Sequence, residues 1–185
     1  MQRLSTIAVI IISLVLSPVF AFSEQAGIKN ILITNNSRDL LIYFHVDGCF
    51  TPKIEEAVQS GISTTFIYKV ALYHKSGDML GAKVASREIS HTIKYDPLKK
   101  DYTVTMSEKK EPFVTQDFKK AKDIMAKVEA FTATPLDLLQ RETPYSLQIK
   151  AELDTIKLPL LLNYIFFFVS YWDFKTAWEA VEFTY

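Results

Sequence analysis

Apolar and polar residues alternate with period two along much of the chain, a pattern typical of β-strands with one face on a core and one in water. The clearest case is the segment 145–153, where Tyr145, Leu147 and Ile149 alternate with polar residues. Further strands are predicted at 31–34, 40–46, 62–74, 84–95 and 102–106. The sequence therefore predicts an α+β fold that is mostly antiparallel β, as a β-sandwich-like domain or a strongly curved sheet with two short helices.

Turn-forming residues indicate how these strands are joined. The segment 35–38, Asn-Asn-Ser-Arg, separates the first two strands and predicts a hairpin, because asparagine tolerates the positive φ of tight turns. The segment 75–78, Lys-Ser-Gly-Asp, and the residues around Pro97 separate the next three strands. We expect those three strands to form a meander.

The first helix is predicted over residues 52–60. Thr51 is a suitable N-cap, and Pro52 stands at the first helical position, where its missing N–H costs nothing. Gly61 follows where a left-handed C-terminal residue is needed. Ile54 and Val58 would then face the core.

A second helix is predicted to begin near Thr115, because apolar residues recur there at helical spacing. The intervening lysines would remain in water. The side chains expected to be buried are Phe118, Ala121, Met125 and Val128.

The segment 158–169 is the most apolar part of the chain after the N-terminal region. Its length of about 12 residues is short of the ~20 that span a bilayer as a helix, so we expect a buried core segment. Large side chains then recur at even spacing, which predicts a terminal strand held in the sheet: Trp172, Phe174, Trp178, Val181, Phe183 and Tyr185. Truncation after Asn163 is expected to prevent folding, and Trp178→Ala to be strongly destabilising.

The N-terminal residues have the order of a secretory signal. Arg3 supplies a positive charge, the segment 4–19 is almost wholly apolar, and no acidic residue precedes Glu24. Val19 and Ala21 fit the two small-residue positions that a signal peptidase reads. Cleavage is therefore expected after Ala21.

This cleavage would make residues 1–21 a signal peptide and residues 22–185 a single exported β-rich domain, in the periplasm or cell envelope. A cut after Ser23 is the second choice. Retention of the segment as a membrane anchor is the less favoured alternative, because the apolar stretch is shorter than ~20 residues.

Charge and cysteine content narrow the classes of function. The chain has 21 basic and 21 acidic residues, interleaved along its length, whereas a nucleic-acid-binding protein normally has a strongly basic face. We therefore expect no nucleic-acid partner. The single cysteine, Cys49, excludes an intramolecular disulfide, so stability must come from packing.

Several short motifs carry a resemblance to a known family. They are the segments 54–62 (IEEAVQSGI), 91–98 (HTIKYDPL) with 102–104 (YTV), 158–159 (LP) and 172–178 (WDFKTAW). In this order they resemble domain of unknown function family 4390, which is found in bacterial envelope proteins. The resemblance implies an envelope protein with no assigned activity and no catalytic residues. Members are often encoded beside a membrane sensor histidine kinase, which implies a membrane signalling partner.

The histidines do not predict a metal site. His45 lies on the strand face opposite Ile42 and Phe44, so its side chain is expected to point to water. His91 shares a face with Ile89 and Ile93 and is expected to be a satisfied residue at the edge of the core. Strand pairing would place His74 roughly 23 Å from His91, at ~3.3 Å per residue. A zinc site needs three or four converging ligands. No metal or other cofactor is therefore predicted.

Cys49 is the one candidate nucleophile. It lies just before a helix start, where the helix dipole lowers a thiol pKa, and His45 is four residues upstream. Val46 and Phe50 make its surroundings apolar, however, and no third group orients the pair. We therefore predict an unpaired, poorly reactive thiol.

These observations favour a non-catalytic cell-envelope binding or interaction module, accessory to a membrane signalling protein. Its partner would be a membrane or envelope protein, or an apolar ligand held between its layers. The alternatives are a hydrolase using Cys49 and a structural envelope component. We assign no catalytic, cofactor-binding or metal-ligating residue, and the adjacent Glu55 and Glu56 are expected to be a solvated helix face.

Overall fold

The structure is a computed structural model, and it describes residues 26–154 and 174–185. The predicted signal peptide and the apolar segment 158–169 lie outside the described residues. The strands are β1 Gly27–Asn35, β2 Asp39–Asp47, β3 Thr64–Ser76, β4 Met79–Asp96, β5 Asp101–Met106, β6 Phe113–Thr115, β7 Lys127–Pro135, β8 Pro144–Leu153 and β9 Glu179–Thr184. The α-helices are α1 Pro52–Gln59 and α2 Phe118–Ala126, and a 3-10 helix covers Leu136–Leu138.

The described strands form two antiparallel sheets. One has three strands in the order β1-β2-β7, and the other has six in the order β6-β5-β4-β3-β8-β9 and is strongly curled. The predicted hairpin is the β1–β2 pair, and the predicted meander is β3–β4–β5. The predicted fold, mostly antiparallel β with two short helices, is confirmed.

The core lies between the sheets and under the helices. In β2, Leu40, Ile42 and Phe44 are buried at alternate positions, as the sequence predicted. The Phe44 ring meets the Tyr68 ring of β3 edge-on, with 5.7 Å between centroids, and so joins the three-stranded sheet to the six-stranded one.

The β1–β2 turn forms for a different reason than expected. No asparagine in it has a positive φ; instead the Asn36 side-chain oxygen accepts hydrogen bonds from the backbone N–H groups of Arg38 (2.8 Å) and Asp39 (2.7 Å). The positive φ belongs to Asn30, at 54°, where the β1–β2 register shifts. Side-chain hydrogen bonding, rather than left-handed backbone, therefore closes this turn.

Helix α1 has the predicted caps. The Thr51 side chain accepts a hydrogen bond from the Ile54 N–H, Pro52 is the first helical residue, and Gly61 has φ of +81°. Ile54 and Val58 are buried on the inner side. The helix ends at Gln59, one residue earlier than predicted.

Helix α2 begins later than predicted. Asp117, not Thr115, is its N-cap and accepts hydrogen bonds from the Lys119 and Lys120 N–H groups at 2.8 and 3.3 Å. Ala121 and Met125 are buried as expected, and Phe118 is partly buried. The helix stops at Ala126.

Val128 is buried, but it belongs to β7 and not to the helix. The chain passes from α2 into β7 without an intervening turn, so no breaker residue marks the boundary. Within β7, Ala130 has φ of 53° and the pairing with β2 shifts there, which interrupts the alternation of apolar residues. For this reason the period-two pattern failed to predict the strand.

The chain end forms the predicted strand, β9, which pairs with β8 from Pro144↔Thr184 to Ile149↔Glu179. Phe174 is buried, with its ring centroid 5.2 Å from that of Phe66. The predicted burial of Trp178 is wrong, because this side chain is 49% exposed. It precedes β9 and borders the outer face of the sheet, so we no longer expect Trp178→Ala to be strongly destabilising.

Candidate functional site

An open cleft of about 380 Å³ lies where β2 ends beside both helices. It contains the residues of the hydrolase alternative, Cys49 and His45. The charged side chains of its lining are Asp47, Glu55, Lys119, Lys122 and Asp123. The contacts that these groups make in the cleft show whether they form a catalytic arrangement.

The Cys49 thiol is buried and donates a hydrogen bond to the Val46 carbonyl oxygen, with 3.2 Å between the heavy atoms. Burial raises its pKa from 9.0 to about 12. The expected lowering by the helix dipole is outweighed by desolvation, because α1 starts only at Pro52 and the sulfur has little access to water. At neutral pH the thiol is protonated, and a thiol is a far weaker nucleophile than a thiolate.

We expect slow alkylation of Cys49 in the folded protein. A pKa three units above its ordinary value reduces the thiolate fraction by about 1000-fold at neutral pH, and burial slows reagent access further. Iodoacetamide labelling followed by intact mass should show at least ~100-fold slower reaction in native protein than in urea-unfolded protein. Comparable native and unfolded rates would contradict this and restore the hydrolase alternative.

Two contacts join other polar side chains of the cleft. His45 Nε2 lies 3.2 Å from Asp47 Oδ1, and the Lys122 ammonium group pairs with Glu55. Glu56 is exposed, so Glu55 and Glu56 are not an acid/base pair. Among residues 26–154 and 174–185, no group of three or more His, Cys, Asp or Glu side chains could hold a metal ion.

His91 is fully buried rather than at the core edge, and both its ring nitrogens are hydrogen-bonded. Nδ1 lies 3.0 Å from the Met125 carbonyl oxygen, and Nε2 lies 2.8 Å from Glu108 Oε1. Burial raises the pKa of Glu108, but the hydrogen bond and charge of His91 oppose it, and the net pKa is lowered. His91 and Glu108 thus form a buried hydrogen-bonded pair in which the carboxylate form of Glu108 is favoured.

The same Met125 carbonyl also accepts a hydrogen bond from the Tyr68 hydroxyl. Burial holds the pKa of that hydroxyl well above its usual value, so it remains a donor. The two side chains thus fix the C-terminal turn of α2 to β3 and β4. Sequence patterns missed this cluster, because Tyr68 lies 57 residues from Met125 and reads as a core aromatic.

A second concave surface lies on the outer face of the six-stranded sheet. It is a groove of about 360 Å³ lined by Lys69, Ala71, Tyr73, Lys83, Ser86, Arg87, Glu88 and Trp178. We call it the outer groove. Its lining comes from β3, β4 and the residue that precedes β9.

Aromatic and cationic groups dominate the outer groove. The Lys83 ammonium lies 5.6 Å from the centroid of the Tyr73 ring, a distance typical of a cation–π contact. Lys69 pairs with Glu152, on the neighbouring strand β8. The sequence pattern places Trp178 in the core, so it does not predict this groove. The exposure of Trp178 follows only from the pairing of β8 with β9, in which Ala180 lies opposite Gln148 on the outer face.

The fold and these sites define a mostly antiparallel α+β domain of two sheets. The chain belongs to the family described as a domain of unknown function (DUF4390), whose profile matches residues 23–182. This confirms the family resemblance seen in the sequence. No curated protein and no solved structure matches the chain. Within the described residues, no helix has both the length and the apolar character needed to span a bilayer.

Proposed function

We propose that this protein is a non-catalytic interaction module of the cell envelope that docks a partner protein at the outer groove. The observation that carries this proposal is Trp178, a large aromatic side chain left 49% exposed beside a concave surface of the six-stranded sheet. Tryptophan, tyrosine and arginine are the side chains most enriched at the energetic centres of protein interfaces. Two of these types, Trp178 and Tyr73, line this groove.

The hydrolase alternative has less support. Its nucleophile, Cys49, is buried and protonated, and the hydrogen bond of its thiol goes to a backbone carbonyl rather than to a base. A Cys–His nucleophile requires the thiol and the imidazole to share a hydrogen bond. His45 instead pairs with Asp47.

The envelope location rests on the sequence of residues 1–21. We expect the mature protein to begin at Phe22 and to be recovered outside the cytoplasm. Intact mass spectrometry of the exported protein measures this directly. Recovery of the full-length precursor mass in the membrane fraction would contradict it.

The docking role is tested by site-specific photo-crosslinking in intact cells. Ser86 lines the outer groove and is exposed, so Ser86→p-benzoylphenylalanine places a reactive group inside it. Lys110, exposed in the loop between β5 and β6, is the matched control position. We expect a discrete adduct of higher mass from position 86 and none from position 110. Equal adduct formation at both positions, or none at either, would refute docking at this groove.

The family's association with membrane sensor kinases suggests what the partner is. In this proposal the module is accessory to a membrane signalling protein and contacts the part of it that lies outside the cytoplasm. Mass spectrometry of the Ser86 adduct identifies the partner. A partner that is not a membrane protein would remove this refinement and leave the docking role in place.

A further inference from the structure

Strand β4 has a long open edge. It pairs with β3 along nearly its whole length, whereas β5 pairs with its other side only at residues 91–96. In the part of the chain that the structure describes, no strand pairs with residues 79–89 on that side. Ser86, Arg87 and Glu88 are exposed in succession. Because successive side chains of a strand point to opposite faces, both faces of β4 are open there.

The ladder between β4 and β5 ends at Ser90. Its carbonyl oxygen accepts a hydrogen bond from the Ser107 N–H at 2.9 Å, and its N–H donates to the Ser107 side-chain oxygen at 3.0 Å. A side-chain oxygen thus takes the place of the backbone carbonyl that a longer β5 would supply. The chain then turns away, since the Lys109 N–H bonds to the Met106 carbonyl oxygen at 3.1 Å. Both backbone groups of Ser90 therefore point away from β3.

The backbone groups of Glu88 and Ser86 point to the same open side. The pairing of β4 with β3 is regular over residues 85–93, and the direction of hydrogen bonding alternates from one residue to the next along an antiparallel strand. Since Ser90 points away from β3, Glu88 and Ser86 do so too, whereas Arg87 points to β3. Two N–H and two C=O groups at strand spacing are therefore a template for one more strand.

The edges of the three-stranded sheet are less regular. Asn30 in β1 and Ala130 in β7 have φ of 54° and 53°, and the pairing of each strand with β2 shifts there. Bulges of this kind twist an edge strand and hinder further pairing. The open edge of β4 has no such shift over residues 85–93.

The side chains beside this edge lead into the outer groove. Ser86 and Glu88 line the groove, and Ser86 lies opposite the buried Ala71 of β3. Neighbouring strands are about 4.8 Å apart, so a residue of an added strand opposite Ser86 would stand about 10 Å from Ala71. Both of these residues are small. A long apolar side chain can therefore extend across them toward the aromatic residues of the groove, Tyr73 and Trp178.

We propose that the partner protein docks by adding an extended segment as a β-strand to the open edge of β4, with a long apolar side chain opposite Ser86. This inference rests on the proposed docking function and specifies how the partner is held. In this mode of recognition, backbone hydrogen bonds supply affinity and pockets for alternate side chains supply specificity. The outer groove is the pocket for the side chain opposite Ser86.

Amide hydrogen exchange tests whether the edge is open in the protein alone. The measurement uses NMR on the exported protein purified from the envelope. The Ser86 and Glu88 amides point to the open edge and should exchange at least ~100-fold faster than the Arg87 amide, which points to β3. Slow exchange at Ser86 and Glu88 would show that the chain's own residues or a second copy already cover the edge, and would overturn the proposal.

Glu88→Pro tests strand addition in intact cells. Proline removes the outward N–H at position 88 and keeps the pairing with β3, which does not use that N–H. The yield of the Ser86→p-benzoylphenylalanine adduct should fall by about 10-fold or more, since a backbone hydrogen bond is lost and the proline ring stands at the edge. The matched control, Glu88→Ala, removes the same side chain and keeps the N–H, so its adduct yield should stay within about 2-fold of the parent's.

A second crosslinking position needs no proline. An added strand presents side chains on both faces of the sheet, so Arg87→p-benzoylphenylalanine, directed to the face opposite Ser86, should crosslink to the same partner. A partner that rests only on the outer face contacts position 86 and not position 87. Comparable adducts at both positions are therefore the expected result.

These outcomes separate strand addition from docking itself. An adduct at position 86 alone, or a full yield in Glu88→Pro, would overturn strand addition and leave the docking function standing. An adduct with the mass of two copies of this chain, or a crosslink within one chain, would overturn the proposal in favour of self-pairing. Absence of any adduct at position 86 in the parent protein would refute the docking function and this inference with it.

Discussion

Truncation after Asn163 is expected to leave a chain that does not fold. It removes β9, which pairs with β8 over six residues, and it removes the buried ring of Phe174. Loss of a buried phenylalanine alone costs about 3–5 kcal/mol, against a typical total stability of 5–15 kcal/mol. The truncation also leaves β8 as an unprotected edge, which favours aggregation. Circular dichroism, urea titration and size-exclusion chromatography measure the result.

Two single substitutions separate the contributions of this region. Phe174→Ala should lower the free energy of unfolding by about 3–5 kcal/mol, because the ring packs on Phe66 in the core. Trp178→Ala should change it by less than ~1 kcal/mol, because half of the side chain is exposed. A truncated chain that is monomeric and unfolds cooperatively would show that residues 164–185 are detachable from the domain.

His91→Leu is expected to be the most damaging single substitution at a polar residue. It leaves the carboxylate of Glu108 largely buried without its hydrogen-bond partner and removes one hydrogen bond to the Met125 carbonyl. Breaking a buried ion pair from one side costs about 3–5 kcal/mol. The double variant His91→Leu/Glu108→Leu should recover part of this loss, because no unpaired charge then remains. Urea denaturation of the parent protein, His91→Leu and the double variant measures their free energies of unfolding. A double variant that is less stable than His91→Leu would contradict the pairing.

The same pair predicts a pH dependence. The pKa of Glu108 is lowered in the folded state from 4.5, so the pair's contribution to stability is fully present above that value. This contribution is lost as the pH falls below the unfolded-state pKa of Glu108 and through its folded-state pKa. The stability difference between the parent protein and the double variant should therefore shrink as the pH falls from neutral to below 4.5. A difference that stays constant over this range would show that Glu108 is not ionised in the folded protein.

Local signals predicted most of the fold. Side-chain caps such as Thr51 and turn residues such as Gly61 act within a few residues of the chain. Strands with one face in solvent are predicted by the alternation of apolar and polar residues. Strand β7 was not predicted, because Ala130, with its left-handed backbone, shifts the alternation of apolar and polar residues in the middle of the strand. The exposure of Trp178 was not predicted, because it depends on how the terminal strand β9 pairs with β8.

The sites were less predictable than the fold. The place of Cys49 before a helix predicts a lowered thiol pKa, whereas burial raises that pKa in the folded protein. The sequence pattern does not give this burial, because it depends on residues distant in sequence. Glu108 meets His91 from a turn after β5, and Tyr68 reaches Met125 across 57 residues. The outer groove combines β3, β4 and Trp178, which are neighbours only in the completed sheet.

The comparison of Cys49→Ala with Trp178→Ala in intact cells tests the docking function most directly. The readout is the yield of the photo-crosslinked adduct at position 86, normalised to the amount of exported protein. Docking at the outer groove predicts that Trp178→Ala abolishes the adduct and that Cys49→Ala leaves its yield unchanged. Loss of the adduct in Cys49→Ala, with full yield in Trp178→Ala, would contradict it and move the functional centre to the cleft beside α1.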